Sequence, residues 1–416
     1  MKTMTRLLNR NIAGRRARRV AARTAVVLPA VGAAIALAGP ALAAPAWVIT
    51  PTVNPSPQKV AFSNVLNAVD ARTSTDAWAV GNFLGPGEDD GQVMLAERWN
   101  GSAWSQVPTP NVVRFDEKLN AVSAAAANDV WAVGSTNRTG FATTDPLAAH
   151  WDGTNWTIVP TPATTGGAKS ILFGVANLSG GNAWAVGRSK ANRALVEHWT
   201  GSAWTIIPTP DPVAPAGSTF SGSTLTAVSA RAANDIWAVG YSTALKGTNS
   251  NSFTLTMHWN GSAWTIVPSP NPAIPTPSGV RQTLNGVVEI SPNDAWAVGG
   301  TTDISGFQPA KPIAMHWNGT AWSVATLPNL GSGGALSSVT ASSPTSVWAA
   351  GPAGGTTSVL HWNGTSWTPE TTPVGPDGQP IMNGISAVPG SATEVWAAGI
   401  TLPSGGGYHT FVVHHP

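Results

Sequence analysis

Six histidines, His150, His198, His258, His316, His361 and His414, hold one place in a recurring phrase, with Arg98 as its seventh member. Imidazoles at regular spacing could bind a metal ion. The spacing argues against it, because equivalent positions in neighbouring layers of packed sheet lie about 10 Å apart, several times a metal–nitrogen bond. These rings are expected to be hydrogen-bonded inside covered strands. No metal and no other cofactor is expected.

Carboxylates are the second chemistry to weigh. Asp70 stands where the other copies have Ser, Ala, Val or Thr, while Arg72 and Arg231 share a position two residues on and Glu289 falls one residue before that position. A carboxylate with arginines at a channel mouth could serve a glycoside hydrolase or lyase, a carbohydrate-active alternative to simple binding. No second carboxylate is convincingly placed opposite Asp70, and no Ser-His-Asp arrangement occurs. Glu88, Asp89 and Asp90 could hold calcium but lack the alternating ligand spacing of a calcium loop, so a solvated acidic turn is expected. The Asn-Asp pairs are expected to form Asx turns.

These residues must be positioned by a repeat. The phrase "RWNGSAW" from Arg98 returns as "HWDGTNW", "HWTGSAW", "HWNGSAW", "HWNGTAW" and "HWNGTSW", and a second phrase, "DAWAVG" or a close variant, has its Trp at 78, 131, 184, 237, 296, 348 and 396. Successive spacings of 53, 53, 53, 59, 52 and 48 residues suit four-stranded propeller blades. The expected fold is all-β, a seven-bladed β-propeller over residues 44–416.

Each unit divides into four short strands, such as "LNAVSA" (A), "VWAVG" (B), "TLTMHW" (C) and "WTIVPSP" (D). Only D carries regular prolines, which cannot donate a ladder hydrogen bond, so D is the outer edge and A lines the channel. Asn260-Gly261 predicts a two-residue primed hairpin between C and D, with Trp259 opposite Ser262 and Trp264 diagonal to Trp259 on one face. His258 then points to the other face. Twenty Trp in strict repetition read as blade packing and not as stacking platforms for sugars.

Closure can be located as well. The seventh unit ends after its C strand, "TFVVHH", and "AWVITPTVNP" near the start matches "AWTIVPSPNP" from Ala263. Trp47 precedes Trp78 by 31 residues, inside the 26 to 33 that separate each D Trp from the next B Trp. The N-terminal segment should supply the last blade's fourth strand.

The phrases "LNAVSA…NDVWAVG" and "HWNGSAW…VPSPNP" resemble the Trp-rich β-propeller repeats of secreted bacterial proteins, with a more distant similarity to kelch and Asp-box propellers. The resemblance covers nearly the whole chain after residue 43. It implies the fold; the set has no shared activity to carry over.

Residues 1–43 have the anatomy of an export signal: a basic region to Arg23, an apolar run from Ala25 to Ala38 and the small-residue site Ala41-Leu42-Ala43. The pairs Arg15-Arg16 and Arg18-Arg19 fit a twin-arginine route, and an ordinary secretory route fits nearly as well. The chain has 22 Lys and Arg against 20 Asp and Glu; removing this segment deletes eight of the basic residues, leaving 14 − 20 = −6. A mildly acidic surface gives no reason to expect nucleic acid or anionic lipid as partner. With no cysteine, packing alone must hold an exported chain.

Chemistry that breaks the repeat gathers in the B–C and D–A connections, which open on one side of a propeller and vary in length. Beside Asp70, Arg72 and Arg231, the candidate binding residues there are Phe83, Glu88 to Asp90, Arg114, Asp116, Glu117, Lys118, Arg138, Phe141, Arg188, Lys190, Arg193, Tyr241, Lys246, Arg281 and Phe307. The functional expectation is a secreted, monomeric, non-enzymatic binding or scaffold module for an extracellular glycan or protein.

Overall fold

The computed structural model describes residues 46–56, 63–85, 91–110, 116–137, 144–162, 170–272, 279–303, 310–331, 333–352 and 359–416. The expected signal segment, residues 1–43, lies outside them. Strand β1 is Val48–Thr50. Blade 1 is β2 (Asn64–Thr73), β3 (Asp76–Leu84), β4 (Gln92–Trp99) and β5 (Trp104–Gln106). Blade 2 is β6 (Glu117–Ala126), β7 (Asp129–Asn137), β8 (Thr144–Trp151) and β9 (Trp156–Ile158). Blade 3 is β10 (Ile171–Asn177), β11 (Ala183–Arg188), β12 (Ala194–Trp199) and β13 (Trp204–Ile206). Blade 4 is β14 (Thr219–Ala232), β15 (Asp235–Lys246), β16 (Asn249–Trp259) and β17 (Trp264–Val267). Blade 5 is β18 (Val280–Ser291), β19 (Asp294–Asp303), β20 (Lys311–Trp317) and β21 (Trp322–Val324). Blade 6 is β22 (Ser338–Ser343), β23 (Ser346–Ala350), β24 (Val359–Trp362) and β25 (Trp367–Glu370), and blade 7 is β26 (Pro380–Ala387), β27 (Val395–Thr401) and β28 (His409–His415).

Every blade is a four-stranded antiparallel sheet in chain order, and β1 completes the seventh by pairing with β28, Val48 opposite His414 and Thr50 opposite Val412. The chain is thus a seven-bladed β-propeller closed by its N-terminal strand, as the repeat predicts. Among the described residues there is no helix, and so none long and apolar enough to cross a membrane.

The Trp repeats explain how blades adhere. The indole of each B strand is buried and inserts between the C and D indoles of the next blade. Trp237 lies 5.0 Å from both Trp317 and Trp322, edge-on to the latter. At the closing seam Trp348 meets Trp47 at 5.8 Å, with His415 in place of the C-strand indole. Edge-to-face aromatic contacts of this kind add about 0.5–1.5 kcal/mol beyond area burial. The wedge between sheets is therefore filled by three rings per junction.

Strand A carries a bulge that accounts for the glycine of "WAVG". Register slips between Leu66 and Ala68, between Leu119 and Ala121, and at matching places in four more blades. The bulge brings an A-strand carbonyl so close to B that a Cβ on Gly81 would sit 1.9 Å from the Val65 oxygen, and one on Gly134 1.8 Å from that of Lys118. The extra residue turns toward the next blade. Asn67, Asn120 and Asn383 each donate a side-chain N–H to a backbone oxygen of the following blade's A strand at 2.8 Å, and Asn285 donates to Leu336, two residues before β22, at the same distance.

The C–D turn differs from the sequence expectation. Trp259 faces Trp264 directly, so the loop has four residues, 260–263. Gly261 adopts φ 93°, and Asn260 Oδ1 accepts the backbone N–H groups of Ser262 and Ala263 at 2.9 and 3.0 Å. An Asn that closes its own turn through the side chain replaces the primed two-residue turn. The two indoles still share a face, now as an opposed pair 5.9 Å apart.

Candidate functional site

The residues that could do chemistry fall into three regions: the channel, the end of the strands carrying the A–B and C–D turns, and the opposite end carrying the variable connections.

The channel is a cavity of about 330 Å³ lined by the A strands, including Asn67, Asp70, Phe173 and Asn285. Asp70 Oδ2 accepts the Ala124 N–H at 2.6 Å and Oδ1 accepts from the Ser386 hydroxyl at 3.2 Å. Ser123, Ser229, Thr340 and Ser386 occupy the same repeat position and accept the next blade's N–H at 3.0 Å each. Asp70 is therefore one member of a ring of ties between blades. Burial among the A strands raises its pKa, opposed by the Ala124 and Ser386 hydrogen bonds.

Arg72 and Arg231 do not join Asp70. They sit at the A–B turns and pair with the Asp four residues on: Arg72 with Asp76 at 2.8 Å, and Arg231 with Asp235. Asp76 also holds Arg98 at 2.8 Å. In blade 4 the cluster is larger. Asp235 Oδ1 meets His258 Nε2 at 2.7 Å, and Arg231 Nε reaches Glu289 Oε1 of blade 5 at 3.4 Å. Burial pushes the Glu289 carboxyl up to about 8, helped by the neighbouring Asp235 charge. Asn177, its counterpart in blade 3, donates an amide N–H to Asp129 Oδ1 at 3.0 Å.

One rule covers all seven blades and was not read from the sequence. The residue two before each B-strand Trp meets the His or Arg of strand C: Asp76 with Arg98, Asp129 with His150, Asn182 with His198, Asp235 with His258, Asp294 with His316, Ser346 with His361, and Glu394 with His414. The Asp of each Asn-Asp pair faces across the sheet and does not close an Asx turn, which corrects the expectation; that turn forms between C and D. The co-occurrence of an acid or amide in one phrase with His in the other was the available signal. The rings also stack on the B-strand indoles, as His198 does on Trp184 at 4.2 Å. Burial holds His198, His361 and His414 below the usual imidazole range. No group of three His, Cys, Asp or Glu arranged to hold a metal occurs among the described residues.

At the opposite end of the strands lie Phe83, Asp116, Lys118, Arg188, Tyr241 and Arg281. Asp116 caps a blade junction, its Oδ1 accepting the Gln92 N–H at 3.0 Å. Phe83 lines a cavity of about 300 Å³ with Val93, Gln106, Pro108 and Thr109. Arg193 stacks over Phe220 at 4.6 Å and pairs with Asp211 at 3.2 Å. Glu88, Asp89, Asp90, Arg114, Arg138, Phe141 and Phe307 lie outside the described residues.

Blade 4 departs most from the repeat here. Strand β14 begins six residues before Leu225, whereas β2 begins two before Leu66, and β15 and β16 stay paired out to Lys246 and Asn249. Beside this extension a cavity of about 360 Å³ is lined by Pro215, Lys246, Phe253, Pro272 and Gln282. Leu245 is 43% and Val213 95% exposed.

The architecture defines a seven-bladed β-propeller whose similarity to known proteins is one of structure. No family model and no curated protein matches the sequence. Among solved structures, YCF48 bound to D1 peptide is similar with a TM-score of 0.52 and 13% identity over 91% of this chain and 99% of that one. YCF48 from Cyanidioschyzon merolae is similar with a TM-score of 0.50 and 14% identity over 89% of this chain and 99% of that one. At such identities the likeness is one of fold.

Proposed function

We propose that the protein is a secreted, non-enzymatic binding module that captures an extracellular protein partner on the face formed by the B–C and D–A connections. The observation that carries this reading is the extension of blade 4. Ring closure needs only the strand lengths that the other blades share, so a hairpin continued to Lys246 adds surface and not closure. It presents Leu245 to solvent, with Val213 of the connection before β14 also exposed, beside a cavity walled by Pro215, Phe253 and Pro272 with Lys246 at its edge. Exposed apolar side chains next to a concave pocket and a cation are what a protein interface uses as anchors. Asp70, the carboxylate on which a channel enzyme would depend, already has both oxygens engaged in blade ties.

The test is affinity capture from culture supernatant and cell wall with the full chain, its Leu245→Asp/Lys246→Glu/Arg281→Glu variant, and a Ser202→Glu/Ser262→Glu control at the C–D turns. The reading expects a protein retained by the wild type and control but lost from the first variant, with unchanged melting in all three. Capture lost only from the control would move the working surface to the other end of the strands. A glycan eluted in place of a protein would overturn the choice of partner.

A further inference from the structure

At the turn end of the strands, between blades 4 and 5, lies a cleft of about 450 Å³ lined by Arg231, Asn234, Asp235, His258, Pro292 and Trp317 among others. Its volume is that of a small-ligand site. We propose that this cleft binds a pyranose bearing a carboxylate, a uronic acid unit of a polysaccharide. The site is separate from the protein-binding face, and the proposal does not depend on that reading.

The hydrogen-bond inventory sets the charge of the ligand. Most of the cleft's side-chain acceptors are spent internally, Asp235 Oδ1 on His258 and Oδ2 on Arg231, and Asn260 Oδ1 on its own turn, which leaves the Asn234 Oδ1. Donors are left over. Arg231 reaches its partners through Nε and Nη2; among the described residues no bond uses its Nη1 or the amide nitrogens of Asn234 and Asn260. Arg231 is paired with Asp235 and reaches Glu289, whose carboxyl burial pushes toward its neutral form. A donor-rich cleft without surplus negative charge suits an acceptor-rich ligand, and a carboxylate on a guanidinium is the strongest such pairing.

The wall sets its shape. Trp317 is half-buried, and its indole N–H donates to the Pro292 oxygen at 3.1 Å, fixing the ring plane. The part of this indole that lines the cleft, beyond its packing against Trp237 and Trp322, offers an apolar surface to a sugar's C–H face, while the donors address its oxygens. The combination belongs to one junction. The position of Arg231 is Ala125, Leu178, Ile290, Ser342 and Val388 in other blades, and blade 1, which has Arg72 there, carries Arg98 where blade 4 has His258.

The experiment uses the full chain with three probes, D-glucuronate, methyl β-D-glucopyranoside and acetate, followed by saturation-transfer NMR and calorimetry. Glucuronate is expected to bind, with the neutral glucoside and acetate each weaker by about tenfold or more, the loss of one hydrogen bond to a charged group. Arg231→Met and Trp317→Ala should each weaken glucuronate binding about tenfold or more by the same reasoning. Trp317→Phe, which keeps a ring against Trp237, and Arg231→Lys, which keeps the charge without the fork, should fold and bind at intermediate strength if the harsher variants fail to fold. Leu245→Asp should leave glucuronate binding unchanged. Equal binding of the neutral glucoside or of acetate, undiminished binding by Arg231→Lys and Trp317→Phe, or no binding of glucuronate would each overturn the proposal.

Discussion

Glu197 in β12 should make the ring less stable as pH rises, and replacing it with Met should remove that dependence. The residue is fully buried, and among the described residues neither carboxyl oxygen has a hydrogen-bond partner. The same place in blades 4 and 5 holds Met257 and Met315, both 0% exposed. Burial pushes the Glu197 pKa from 4.5 to about 8. Because the folded pKa is the higher one, the native state keeps a proton that the unfolded chain loses above pH 4.5, so stability declines as pH climbs from 4.5 toward 8. At about 1.4 kcal/mol per pH unit, the cost reaches ~3 kcal/mol by pH 7. Glu197→Met should therefore melt higher than the wild type by about 5 °C at pH 7 and show little of that gain near pH 4.5. Differential scanning calorimetry of both proteins at pH 4.5, 6 and 7.5 measures the difference. The difference is the useful quantity because His198, His361 and His414, whose folded pKa values are lowered, make both proteins lose stability as pH falls below about 6.5. A Met variant that gains equally at every pH, or gains nothing at pH 7, would refute the claim that a neutral unpaired carboxyl sits between the blades.

Deleting Trp47–Pro55 should lower the melting temperature and broaden the transition, because it bares β28 and empties the Trp348 site; a deletion that melts like the full chain would show that β1 does not close the ring. Trp264→Ala should cost about 3–5 kcal/mol by denaturant titration without affecting capture of a partner, and unchanged stability with lost capture would instead make these indoles a platform. Asp70→Ser should stay within about 1 kcal/mol of the wild type, since Ser123 and Ser229 make the same tie; a large loss of stability would show that the carboxylate is required there.

The fold was legible because its determinants are local and repeated. An indole every fifty-odd residues, a glycine forced by a bulge and a proline-marked edge strand fix blade number, strand order and closure. The C–D register was not legible, since Asn260-Gly261 is compatible with a two-residue loop and with a four-residue loop in which Asn260 Oδ1 binds the turn's own N–H groups. The polar pair of each blade is hidden for another reason: Asp235 and His258 sit 23 residues apart in two separate phrases, so a cross-strand partner has the local signature of a turn residue. The cleft between blades 4 and 5 needs more still. Its indole and proline, Trp317 and Pro292, belong to the next repeat, and only the stacking of sheets brings them to Arg231. In a closed ring of near-identical blades a ligand site is specified by what two neighbours contribute jointly, and a departure such as Arg231 with Glu289 acquires meaning only once the junction is seen. The same logic demotes Asp70: unusual in type but ordinary in its bonds, it does what serine does in three other blades.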